Sequence, residues 1–275
     1  MTSAADRTRP DPQDSPVGHL WQYSTYEAGL TMVLMFGVAT VVRWVIGESP
    51  VSRAVPDIHL KLVVVGVAVG LLLSGLILSP LGRASGGHMN PAISLAMWPF
   101  GVFPGRGVLP YWAAQLAGSV LGVVLARLVW GAPVARPPVA YSALRPAPGW
   151  SNASLFAAET ASMAVIVVLV GAFLSAPRLA PRVPWLVGGL IGVGIVGLGT
   201  VTGPCVNPAR QFGPAVLAGQ SDFLATYLIA PMVGAVVAAV LLGRFHRCRL
   251  LTHRLCGPRR STDAVQDERR SGHRG

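Results

Sequence analysis

The chain has 275 residues, 52% of them hydrophobic and 12% charged, with a mean hydropathy of +0.55. So little polar surface excludes an ordinary soluble domain and points to a membrane protein. The net charge of +11 would raise nucleic acid as a partner for a soluble chain, but nine arginines from Arg244 to Arg274 crowd the C-terminal end with no sign of a nucleic-acid-binding fold, so no nucleic acid is expected.

Residues 1–20 carry Arg7 and Arg9 but no apolar core, which is unlike a signal peptide and suggests a loose N-terminal tail left in the cytosol. Six apolar stretches follow, at 21–45, 60–78, 108–130, 151–174, 183–200 and 223–243. At ~1.5 Å per residue each is long enough, or nearly so, to cross a hydrocarbon core of ~30 Å. The Pro-, Gly- or charge-rich segments 47–59, 131–149 and 175–182 read as loops. Two more apolar pieces, 91–98 and 208–217, would make helices of only about 12–15 Å, near half the core. Non-helical backbone at membrane depth survives only where protein buries it or a watery cavity receives it, so two such pieces suggest a lined pore. Residues 248–275 read as a basic, disordered tail, leaving a channel domain at 21–247 with halves at about 21–131 and 150–247.

An even number of spans puts both ends of the chain on one side, and the basic residues choose that side. Fifteen of the 22 Lys and Arg fall with the termini, which favours the cytoplasm; without the nine in the C-terminal tail the balance is six against seven. The three cysteines, Cys205, Cys248 and Cys256, form no metal-ligand spacing, so neither a disulfide framework nor a metal or other cofactor is expected.

The two halves repeat. Asn90-Pro91-Ala92 returns as Asn207-Pro208-Ala209, 117 residues later, and Tyr111 and Gly118 return as Tyr227 and Gly234, 116 later. Glu27, early in the first span, is mirrored by Glu159, early in the fourth. Three spans separate the copies, so the second half enters from the opposite side: an inverted repeat. Asn is a favoured N-cap and Pro fits the first helical turn, so each motif opens a half-helix. Two positive helix ends then meet near the midplane with two Asn amides as donors, an arrangement that repels cations and orients water or a hydroxyl.

The segments Ser85-Gly86-Gly87-His88-Met89-Asn90-Pro91-Ala92 and Thr202 to Ala215, the latter with Arg210-Gln211-Phe212-Gly213-Pro214-Ala215 after the motif, resemble the two signature loops of the aquaporin, or major intrinsic protein, family. The resemblance covers about residues 21–247. It implies an all-α membrane fold of six transmembrane helices and two re-entrant half-helices, a passive channel for water and small neutral solutes in the plasma membrane, and a homotetramer. It implies that Arg210 stands at an outer constriction, against the alternative of an arginine reaching for the interface. Glu27 and Glu159 would accept hydrogen bonds from the half-helix loops, the alternative being interfacial carboxylates that complement a helix dipole. Gly86, Gly87 and His88, with Gly203, Pro204 and Cys205 opposite, would offer backbone carbonyls to the pore, His88 chiefly through its backbone. Gly118, Gly122 and Gly234 fit close helix contacts.

The filter departs from the family pattern. Water-selective members place a histidine twelve residues before the second Asn and an aromatic on the second span; here those positions hold Ile195 and Gly70, or Val69 if the loop has shifted by one residue. Pro204 and Arg210 complete the set. Glycerol-conducting members carry Asp after the Arg, where Gln211 stands. The expectation is a wide, apolar constriction that passes glycerol alongside water. The competing class is an ion-coupled transporter, which also uses inverted repeats and would have to couple through Glu27 and Glu159. No constellation for an enzyme appears in the spans.

Overall fold

The computed structural model describes residues 19–245 and 249–258; the expected N-terminal tail up to residue 18, and residues 246–248 and 259–275, lie outside these. Ten α-helices occur among the described residues: α1 (Leu20–Val45), α2 (Pro50–Ala54), α3 (Ile58–Leu78), α4 (Pro80–Ser85), α5 (Pro91–Met97), α6 (Gly105–Trp130), α7 (Asn152–Leu174), α8 (Val183–Leu198), α9 (Pro208–Ala218) and α10 (Leu224–Phe245). Among the described residues, six helices are long and apolar enough to cross a membrane: α1, α3, α6, α7, α8 and α10. The boundaries follow local chemistry. Asp57 Oδ1 accepts the Leu60 N–H at 2.8 Å and starts α3 two residues before the apolar run, and Ser151 caps α7 through the Ser154 N–H at 3.1 Å.

Within the halves α1 packs on α6 and α7 on α10, while α3 and α8 join the halves. The half-helix α5 rests chiefly on α10, and α9 on α6, so each is held by the last span of the other half. Glycines bring these axes close. A Cβ on Gly118 would stand 2.3 Å from the Ala28 carbonyl oxygen, and one on Gly234 2.2 Å from that of Thr160. In a membrane, where burial gives little drive for helix association, such close backbone approach is the main source of contact. Outward-facing Val67, Leu71, Leu121, Leu128, Val193 and Ile229 are exposed and form an apolar surface of the kind lipid covers.

Two sequence expectations change, for Gly70 and for the C-terminal segment, and the 131–149 loop takes a place in the cavity wall. Gly70 belongs to the α3–α8 contact: a Cβ there would lie 2.6 Å from the Gly188 carbonyl oxygen, and its neighbours Val65 and Val69 face the central cavity instead. The 131–149 loop turns inward, so that Ser142, Ala143, Leu144 and Arg145 line the cavity. The C-terminal segment is not wholly a solvated tail, because in residues 249–258 the side chains of Leu250, His253, Arg254 and Leu255 are buried.

Gly234→Val is expected to lower the stability of the purified protein by about 1–3 kcal/mol or more through overpacking against α7. The control Gly197→Ala, at a site with no atom within 4 Å of the added Cβ, should leave it unchanged or raise it. Thermal unfolding in detergent reads both.

Candidate functional site

The half-helix loops are non-helical backbone inside the bundle, so every N–H and C=O needs a partner. Glu27 supplies four bonds: Oε1 accepts from the His88 N–H (3.0 Å) and the Ser85 hydroxyl (2.7 Å), Oε2 from the Met89 N–H (2.6 Å) and Gln115 Nε2 (2.9 Å). Glu159 repeats the backbone part, taking the N–H groups of Cys205 at 2.9 Å and Val206 at 2.7 Å. Both carboxylates are fully buried.

These bonds fix an unusual backbone. Met89 and Val206, just before the two asparagines, sit at φ +47° and +42°, a region that disfavours a β-branched residue and costs on the order of 1–3 kcal/mol. The carbonyl of each accepts a hydrogen bond from the opposite motif: Asn207 Nδ2 to Met89 O and Asn90 Nδ2 to Val206 O, both 2.9 Å. Each Asn also caps its half-helix, Oδ1 taking the Ala92 N–H at 2.9 Å and the Ala209 N–H at 3.0 Å, with Pro91 and Pro208 in the first turn. An amide NH2 has two hydrogens, so one donor on each Asn is committed to the cross-link and the second is left for the cavity that both residues line.

That cavity has a volume of about 320 Å³. Its wall is aliphatic, built from one face each of α1, α3 and α8, and its polar groups are few: Asn90, Asn207, Arg210, His88, Ser142 and Thr200 are among them. Ile195, Pro204 and Arg210 line it, as do Gly203 and Cys205. Gly70, Gly86 and Gly87 are not among the lining residues. Gly87 packs on Ile77 and Gly82, and the Gly86 carbonyl accepts the Leu255 N–H at 3.0 Å. His88 contributes its side chain as well as its backbone: Nε2–H donates to the His253 carbonyl (3.1 Å), which leaves Nδ1 to accept from the Ser94 hydroxyl (3.0 Å).

Several supporting contacts were not assigned from sequence. Arg210 Nη1 donates to the Ser142 carbonyl at 2.7 Å, at the end of three successive residues, Ala140 to Ser142, with positive φ. Gln211 clamps the same loop, accepting the Leu144 N–H at 2.9 Å and donating to its carbonyl at 3.0 Å. The hydroxyls of Tyr111 and Tyr227 hold the Ser85 and Thr202 carbonyls at 2.7 and 2.5 Å. Their recurrence at nearly the motif spacing was the available signal. Ser119 Oγ bonds the Ala209 carbonyl and accepts the Gly213 N–H at 3.0 Å, tying α9 to α6.

Six spans in two inverted halves, with two half-helix caps cross-linked inside one central cavity, define a membrane channel fold. A family model described as Major intrinsic protein matches residues 21–242, and the chain belongs to that family. It is 35% identical to aquaporin-8 of Mus musculus over 182 residues, 64% of this chain and 67% of that one. It is 33% identical to an aquaporin of Methanothermobacter marburgensis over 185 residues, 65% and 74% of the two chains. A propanediol uptake facilitator of Citrobacter freundii is 35% identical over 182 residues, 56% and 68%. The aquaglyceroporin of Plasmodium falciparum shares the fold with a TM-score of 0.70 at 21% identity, over 82% of this chain and 97% of that one.

Glu159→Ala strands the N–H groups of Cys205 and Val206, at about 1–3 kcal/mol each. The expected outcome is a clear drop in melting temperature in detergent, larger than that of Thr160→Ala one residue on, whose hydroxyl meets a single carbonyl, that of Ala230, at 3.1 Å.

Proposed function

We propose that the chain is a passive pore for water and small uncharged solutes, glycerol-sized polyols among them. One observation carries this reading: the N-terminal caps of two opposed half-helices, Asn90 and Asn207, face a single aliphatic cavity beside the guanidinium of Arg210. The two helix ends and the arginine present positive charge to anything inside, so cations are repelled. A hydroxyl or a water accepts from the free Asn hydrogens, while its own hydrogens point away from the centre. Arg210 is a strong donor group at the upper end, where Arg145 also lines the cavity, and the Ser142 carbonyl fixes the direction of Arg210. Opposite it the wall of Ile195, Pro204, Val65 and Val69 offers a carbon backbone apolar contact and no hydrogen bond. Stripping a polar group without a replacement partner costs roughly 2–7 kcal/mol, so a triol bonded on one side only should pass more slowly than water. The name of the Citrobacter freundii relative, a propanediol uptake facilitator, supports a small diol or triol as substrate.

An ion-coupled transporter finds no support in the carboxylates. All four oxygens of Glu27 and Glu159 are engaged by the half-helix loops, and neither residue lines the cavity. The family supports a homotetramer in the plasma membrane. Outside the C-terminal tail the basic residues divide six against seven between the two ends of the bundle, and the nine arginines from Arg244 to Arg274 tip the balance, which supports a cytoplasmic lower end, where α1 begins and α10 ends, and an outer Arg210 end.

Stopped-flow light scattering on proteoliposomes tests the function. Water and glycerol should both cross faster than in empty vesicles, and Ile195→His should reduce glycerol flux more than water flux. Glycerol permeability equal to that of empty vesicles, with water flux raised, would leave a water pore only. Arg210→Val should keep or raise solute flux while admitting protons or small cations, read with an internal pH dye; an unchanged ion barrier would assign exclusion to the half-helix dipoles alone.

A further inference from the structure

The chain's own C-terminal segment packs against the lower end of the cavity. Leu255 lines the cavity yet is only 1% exposed, so its side chain is packed and does not border an open mouth. Three hydrogen bonds hold the segment at two places: Leu251 N–H to the Leu174 carbonyl at the end of α7 (3.1 Å), and, on the loop before α5, Leu255 N–H to the Gly86 carbonyl (3.0 Å) and His88 Nε2–H to the His253 carbonyl (3.1 Å). The His253 ring lies 5.4 Å from Phe103 and 5.5 Å from His88, centroid to centroid. Gly257 ends the segment at φ +87° against Ala180, where a Cβ would lie 3.3 Å from backbone. This is the contact pattern of a bound peptide: backbone hydrogen bonds at intervals, with apolar side chains anchored between them.

We propose that the lower mouth is a peptide-binding site whose occupant is the chain's own segment 249–257, and that its occupation shuts the pore. The inference rests on the channel reading and adds its regulation. Gly86 and His88, whose carbonyl and side chain would otherwise border the solute path, are both taken by the segment. Release frees them and withdraws Leu255. The segment carries its own trigger. Burial holds the His253 imidazole well below its ordinary basicity, and the neighbouring His88 and Arg254 act in the same direction. The groups facing it are His88, from the loop before α5, and Arg254, from its own segment, with Glu27 bonded to the His88 N–H behind. Docked, His253 is neutral; released, it regains a value near ~6.5. Docking is therefore at full strength above that pH and is weakened as the pH falls below it, because only the released form takes up the proton readily.

Osmotic water flux per channel, measured in proteoliposomes, tests this with the full chain, Leu255→Asp, and a chain ending at Arg247. If the open form is a minor population of up to about 10%, both variants should conduct at least about tenfold faster than the full chain near neutral pH. The full chain should rise towards them between about pH 7.5 and about pH 5.5, while the truncated chain stays flat. A peptide of residues 249–258 added to the truncated chain should lower its flux again. Either variant suffices if the other fails to give a monodisperse protein. Full chain and variants conducting equally would overturn the plug and leave the channel. None of them exceeding empty vesicles would overturn both. A pH rise shared by the truncated chain would remove His253 as the trigger.

Discussion

The structure depends on keeping non-helical backbone satisfied in the middle of an apolar bundle. Two loops leave the helical hydrogen-bond pattern there, and the surrounding apolar bundle offers no hydrogen bond to repair the loss. The two buried carboxylates answer this constraint. Glu27 and Glu159 each capture two consecutive N–H groups ahead of an Asn-Pro-Ala motif, and each asparagine captures the carbonyl of the opposite loop. Once these bonds are made, Met89 and Val206 are held in their left-handed conformations, the half-helices start where the asparagines cap them, and their positive ends are fixed beside each other. The chemistry of the cavity centre follows from a local requirement of backbone satisfaction.

The rest of the bundle serves that centre. Glycines on α6 and α10 let α1 and α7 approach closely, and this brings Glu27 and Glu159 within reach of the loops. The cross-packing of α5 on α10 and of α9 on α6 makes each half incomplete without the other. Arg210 and Gln211 extend the same logic by gripping the backbone of Ser142 and Leu144, so that the loop between α6 and α7 becomes part of the cavity wall.

Much of this was legible in the sequence, and the parts that were not have physical reasons. The spans were legible because a continuous apolar run of membrane length has few other uses, and the half-helices because Asn followed by Pro is a helix start. The paired glutamates were legible because a carboxylate inside an apolar span requires partners. The face of α3 was harder. Adjacent residues point about 100° apart on a helix, so a one-residue uncertainty in the loop decides between Gly70, which packs on Gly188, and Val69, which faces the cavity. The C-terminal segment was misread because its arginines dominated its composition, while Leu250 and Leu255, the residues that pack, are too few to make a periodic pattern. The role of Ser142 depends on three positive-φ residues in a row, for which sequence gives no rule.

The central claim is that water crosses through the cavity past Asn90 and Asn207, and the temperature dependence of osmotic flow tests it most directly. In vesicles carrying the Leu255→Asp chain, water flow should rise only gently on warming, as free diffusion of water does. A dependence as steep as that of the bare bilayer would mean that water dissolves in lipid to cross, and would contradict the account.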